Sequence, residues 1–248
     1  MKDKPNILFI LTDQQRLSAV NCYGETPCRT PNIDRLAREG IRFSNTYTAQ
    51  PICSPTRGSL LTGLYSHAHG ITANVGEIGC TMHHLPDGPD LLSRRLQEAN
   101  YQLGYSGKWH LCPEPEEYMG HPDQHRLPRD YGFEGQNILG NSKEALTCEP
   151  YQEYLRQQGF THRLKPWDNP TYPIRPAGEL EGPPESTVSS FVTQNTLDLI
   201  DRFSRDDNPF FIWHNFWGPH EPYYVPKEYL DLYRDVPIPR WGNYDWPA

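Results

Sequence analysis

Apolar residues are unevenly spread along this chain. Residues 6–11 (Asn-Ile-Leu-Phe-Ile-Leu) form a short apolar run, the pattern of a parallel strand buried on both faces. Thr12-Asp13-Gln14 follow at its C-terminal end, the edge where open α/β sheets bind ligands. Thr30-Pro31-Asn32 predicts the start of a helix over 33–39, with Gly40 as its stop. Residues 41–48 alternate through Ile41, Phe43, Asn45 and Tyr47, which predicts a second strand. Pro51 and Pro55 argue against regular structure before Thr56. A helix is then expected over 57–64, burying Leu60, Leu61 and Leu64. Cys53 would lie just before that helix, where free N–H groups and the dipole favour an anion. Residues 90–100 put Leu91, Leu92, Leu96 and Ala99 on one helical face. Residues 101–106 predict a strand that delivers Gly107-Lys108-Trp109-His110 to a loop. Residues 186–203 predict a helix capped by Ser186, its apolar side formed by Val188, Phe191, Val192, Leu197, Leu199 and Ile200. A last strand over 210–216 leads to Gly218-Pro219-His220.

This alternation of strands and helices argues for an α/β fold, a mainly parallel sheet sandwiched by helices. Three chemical groups then follow strands directly: Asp13-Gln14, Lys108 with His110, and His220. Residues 112–186 carry Pro, Gly and charge without clear period and read as a loop-rich excursion with short elements, facing substrate. The 25 prolines and 12% aromatic residues fit a chain rich in loops.

A length of 248 residues allows one large or two small domains. The formal charge of −8 argues against nucleic acid as a bulk partner, yet leaves room for local cations and a small anionic ester. The apolar run near the N-terminus is too short for a membrane span or a secretory h-region. The expected location is cytoplasmic as the chain is written, or periplasmic or secreted if the N-terminus was trimmed. Six scattered cysteines, none in a Cys-x-x-Cys pair, indicate neither a zinc cage nor a disulfide framework.

Residues 51–63 read Pro-Ile-Cys-Ser-Pro-Thr-Arg-Gly-Ser-Leu-Leu-Thr-Gly. A free cysteine is usually a small buried thiol. Here Cys53, Pro55 and Arg57 stand at fixed offsets, and all thirteen positions fit the signature of the type I sulfatases, of the alkaline-phosphatase-like superfamily, which the segment resembles. The resemblance implies that a maturation enzyme oxidises Cys53 to formylglycine, whose hydrate is a geminal diol. One hydroxyl would attack sulfur, and the second would expel sulfate as the aldehyde re-forms. Arg57 would steady the formylglycine and nearby metal carboxylates. Asp13, Gln14 and the modified Cys53 would be metal ligands, with Ca²⁺ first and Mn²⁺ or Mg²⁺ as alternatives. The family usually has Asp-Asp where this chain has Asp13-Gln14. Gly107-Lys108-Trp109-His110-Leu111 resembles the end of the family's second signature, although Asn100 and Leu103 depart from it upstream. Lys108 would bind a sulfate oxygen, and His110 would hydrogen-bond the formylglycine hydroxyl. His220, in Gly218-Pro219-His220-Glu221-Pro222, resembles the family's Pro-His-x-Pro segment and would serve as general acid at the leaving group. His67, His69, His83, His84 and His214 read as structural.

The resemblance runs from about residue 6 to 223. The family's second metal pair and a further sulfate-binding lysine have no clear counterpart after His220, since Asp231 and Asp235 look like ordinary loop or helix. The expectation is therefore an incomplete catalytic domain over 1–248, its C-terminal portion missing, weakly active or inactive alone. The implied function is sulfuric ester hydrolysis on a small-molecule or carbohydrate sulfate. Two alternatives are a phosphonate monoester or phosphodiester hydrolase on the same fold, and a non-catalytic binder of anionic glycans. Trp109, Trp213, Trp217, Tyr223 and Tyr224 suit either a sugar platform or a packed core.

Overall fold

The computed structural model describes residues 4–113, 126–138, 142–168 and 176–237. Parts of the expected 112–186 excursion thus lie outside the described residues. The described strands are β1 (Ile7–Leu11), β2 (Gln102–Gly107), β3 (Glu134–Gly135), β4 (Arg163–Pro166), β5 (Ala177–Glu181), β6 (Phe210–Asn215) and β7 (Tyr223–Pro226). The α-helices are α1 (Pro31–Glu39), α2 (Cys53–Thr62), α3 (Ser66–His69), α4 (Leu92–Glu98), α5 (Ser142–Thr147), α6 (Glu149–Gln158), α7 (Val188–Phe203) and α8 (Lys227–Asp231).

The main sheet has the order β1-β6-β2-β3, and every pairing in it is parallel. Leu11, Gly107 and Asn215 lie side by side at its C-terminal edge. One face packs Leu103, Tyr105, Phe211 and Trp213 against Leu61 of α2 and the buried Trp109 and Tyr131. On the opposite face, Ile212 and Phe210 meet Leu199 and Phe203 of α7. Gly104 permits this close approach, because a Cβ there would lie 2.9 Å from Ile212 and 3.1 Å from Phe203. Each large side chain buried in this way contributes about 1.5–3 kcal/mol. The expected α/β sandwich on a parallel sheet is therefore what the chain forms. A smaller sheet, β4-β5-β7, lies beside it.

Several local expectations need correction. β1 is not buried on both faces: Leu8 and Ile10 are exposed, because β1 is the sheet edge and α7 covers only β2 and β6. Residues 41–48 form no strand, and Ile41 and Tyr47 are 85% and 89% exposed. Alternation makes a strand only where a sheet face and a neighbouring edge receive it. The signature helix begins at Cys53 rather than after Thr56, since a proline in the first helical turn loses no intrahelical bond. It ends at Gly63, which is left-handed (φ 70°), leaving Leu64 exposed beyond it. The cap of α7 is Thr187, whose hydroxyl accepts from the Ser190 N–H at 3.1 Å; Ser186 belongs to a preceding 3-10 turn. Leu197 faces solvent.

Candidate active site

Three strand ends deliver the chemistry. Past β1, the Asp13 N–H bonds the Gly218 carbonyl at 3.2 Å, tying the β1 exit to the segment after β6. Past β2, Gly107 has φ 97°, and a Cβ there would lie 1.7 Å from the Asn215 carbonyl oxygen. Only glycine allows the turn that drives Lys108 back under the sheet edge. The Lys108 N–H then bonds the Asn215 carbonyl at 3.1 Å. His110 also adopts a positive φ of 53°, and Gln14 one of 60°. Non-glycine residues rarely hold that conformation, and such residues cluster at functional sites.

Helix α2 supplies Cys53 as its first residue and Arg57 one turn later. The N-terminal turn is held firmly. The Ser54 N–H donates to Asn74 Oδ1 at 3.2 Å, while its hydroxyl donates to the His110 carbonyl at 2.6 Å and accepts from the Val75 N–H at 3.2 Å. Below it, His69 accepts the Ile71 N–H on Nδ1, so its Nε2 carries the proton facing the Ser59 hydroxyl at 3.1 Å. His69 is therefore structural, as expected.

Around Cys53 three charges converge. Lys108 Nζ lies 2.5 Å from Asp13 Oδ2 and 3.5 Å from Cys53 Sγ, and its side chain is fully buried. Cys53 Sγ is 3.7 Å from both Asp13 oxygens. Arg57 Nη2 is 3.6 Å from Asp13, and its Nη1 donates to the Lys108 carbonyl at 2.7 Å and to Asn215 Oδ1 at 3.0 Å. Burial alone would raise the Asp13 pKa, but Lys108 and Arg57 outweigh it and hold the carboxyl below its ordinary value. The Cys53 thiol goes the other way: burial and Asp13 raise it against the pull of Lys108 and Arg57. One carboxylate thus faces two buried cations, and the local balance is positive in a chain of charge −8. A helix N-terminus adds to it, so the place suits a tetrahedral anion.

The histidines divide by role. His110 is pushed down to about 3, chiefly by burial and then by the Lys108 and Arg57 charges, so it is a neutral imidazole at physiological pH. His220 Nδ1 lies 2.9 Å from the Glu221 carbonyl, which can only accept. Nδ1 therefore carries a proton, and Nε2 is the atom free to exchange one. His220 lines a cavity of about 510 Å³ together with Asp13, Gln14, Cys53, Arg57 and Asn74. All seven residues singled out from the sequence thus fall in one neighbourhood. Asn215 and Asn74 were not among them. Asn215 ends an apolar strand at the register of Leu11 and Gly107, a signal of the same kind as Asp13.

Asp13 and Gln14 offer oxygen donors of the kind a hard divalent cation prefers, but they are too few, since Ca²⁺ takes about six to eight. The single Asp13 charge is already outweighed by Lys108 and Arg57. Among the described residues no group of three or more His, Cys, Asp or Glu is placed to hold a metal. These residues therefore do not complete a cation site by themselves. Among the described residues, no helix is long and apolar enough to cross a membrane.

The Sulfatase family's sequence model matches residues 5–244, and the chain belongs to that family. It is 30% identical over 233 residues to the uncharacterized sulfatase YidJ of Escherichia coli K12, covering 94% of this chain and 42% of that protein. It is 27% identical over 241 residues to the N-acetylglucosamine-6-O-sulfatase of Bacteroides thetaiotaomicron, covering 97% and 35%. The phosphonate monoester hydrolase of Agrobacterium radiobacter superposes with a TM-score of 0.68 at 22% identity, over 96% of this chain and 45% of that one, which shows a shared alkaline-phosphatase-like fold. The chain spans less than half the length of these curated relatives.

Proposed function

We propose that this chain carries the nucleophile and anion-binding half of a sulfuric ester hydrolase. The observation that carries the reading is the convergence of Lys108, Arg57 and Asp13 on Cys53 at a helix N-terminus. A maturation enzyme, drawing on an external oxidant, converts the Cys53 side chain from CH₂–SH to an aldehyde, the sulfur leaving as sulfide. Water adds to give a geminal diol. One diol oxygen bonds to sulfur as the ester S–O bond breaks, and the alcohol leaves with a proton from His220 Nε2. Lys108 holds a sulfate oxygen as charge builds. The second diol hydroxyl gives its proton to neutral His110, the aldehyde re-forms and sulfate departs. Asp13 and Gln14 are proposed as part of a divalent cation site, Ca²⁺ ahead of Mn²⁺ or Mg²⁺, that needs oxygen donors from outside the described residues. A sulfated carbohydrate is the preferred substrate class, supported by the similarity to an N-acetylglucosamine-6-O-sulfatase.

Mass spectrometry of the Cys53 peptide, after co-expression with a maturation enzyme, is expected to show a loss of about 18 Da, from the chemistry of the oxidation itself. An unmodified thiol in a preparation that releases sulfate would overturn the proposal. Rates on an aryl sulfate against an aryl phosphonate separate sulfur from phosphorus chemistry.

A further inference from the structure

A second cavity, of about 460 Å³, lies on the other side of His220. His220 is common to its wall and to that of the charged cavity over Cys53, so a ligand anchored by its anion at Cys53 extends past His220 into it. Its size is that of an ordinary small-ligand pocket, about 300–1,000 Å³. The chemistry of the two cavities is opposite. The first holds Arg57 and Asp13 with Lys108 beneath; the second is walled by Trp217, Val188, Pro222, Tyr224 and Tyr229, with hydroxyls from Thr187 and the tyrosines. Among the described residues lining it there is no lysine or arginine, and Glu221 is its one acid.

We infer that this cavity receives the alcohol half of the ester as an uncharged, hydroxyl-bearing ring, and that Glu221 selects against a second anionic group there. The inference rests on the sulfatase reading of the Cys53 site. Aromatic and proline walls give a ring apolar faces to stack on, and hydroxyls meet its polar edge. An anion in the cavity would leave water for an apolar wall with no cation to meet it, and would face the Glu221 carboxylate. The Tyr224 and Tyr229 walls, from the strand and helix that follow His220, would set which ring fits.

The test is equilibrium binding to the purified chain of four probes: inorganic sulfate, N-acetylglucosamine 6-sulfate, glucosamine 2-N,6-O-disulfate and phenyl sulfate. The neutral-ring esters are expected to bind roughly tenfold or more tighter than the disulfate, a gap of about 1.4 kcal/mol. Phenyl sulfate against the N-acetylglucosamine ester tells an aryl occupant from a sugar. Glu221→Gln should close most of the gap. Tyr229→Ala, at an exposed position, should weaken both neutral-ring esters severalfold and leave inorganic sulfate unchanged. If sulfate binds while the monosulfated and disulfated sugars bind equally, or Glu221→Gln keeps the gap intact, the cavity assignment falls and the Cys53 reading stands. If none of the four probes binds, both fall together.

Discussion

Two parts of this molecule have similar apolar patterns and opposite fates. Around β2 and β6, apolar residues are enclosed on both faces: Leu61, Tyr105 and Trp213 on one, Ile212 and Phe203 on the other. Around the outer face of β1 and helix α1, Leu8, Ile10, Ile33, Leu36, Ile41 and Phe43 are exposed, and α1 buries no residue at all. The α1 stretch is amphipathic, yet among the described residues nothing covers its apolar side. Spacing makes an element amphipathic; a second surface makes the amphipathicity stabilising. The reacting groups draw on the enclosed part. Lys108 and Arg57 are buried cations whose positions depend on the packed strand ends and on α2. Asp13 is the one member delivered by the open edge strand, and its carboxylate is held by partners from the enclosed side.

The contrast can be broken by mutation. The largest effect is expected at Gly107→Ala, where a positive φ and the Asn215 carbonyl leave no room for Cβ. A loss of about 4 kcal/mol or more, or failure to fold, should appear in denaturant unfolding, together with loss of sulfate binding as Lys108 is displaced. Near-wild-type stability there would show that the β2 exit is not under tension.

Next comes acid sensitivity at His214, buried on β6 with Nδ1 2.6 Å from the Thr196 hydroxyl. Burial pushes it down to about 4 from 6.5. Between those values the unfolded chain binds a proton that the folded chain refuses, so stability falls as pH drops from 6.5 towards 4. The full cost is about 3 kcal/mol. His214→Asn should flatten that part of the curve of unfolding midpoint against pH; an unchanged slope assigns it to other groups. Leu61→Ala, emptying a fully buried site under the sheet, should cost about 2–5 kcal/mol at neutral pH. The smallest effect belongs to the open region: Leu36→Ala on α1 should change stability by about 0.5 kcal/mol or less. A loss of 2 kcal/mol or more there, by the same unfolding measurement, would mean that the α1 face is covered in solution.

Much of the sheet was legible in advance. The apolar runs at 6–11, 101–106 and 210–216 became β1, β2 and β6, and the polar residues after them are the ones that converge. The signature at 51–63 located the nucleophile. What was not legible followed from neighbours. Residues 41–48 have a strand's alternation but no edge to join. Asn215 looked like the end of a strand until the fold brought Arg57 to its side chain.

The order of residues alone determined the elements, the strand-end chemistry and the sulfatase family, because periodicity and short motifs are local properties of a chain. The tertiary structure decided which apolar faces are enclosed, that Pro55 lies within the signature helix, and that two buried cations outweigh the Asp13 carboxylate beside Cys53. Burial and electrostatic balance depend on distances between residues far apart in sequence. Lys108 and Cys53 are 55 positions apart yet meet at 3.5 Å only because the sheet edge and the helix N-terminus are packed together.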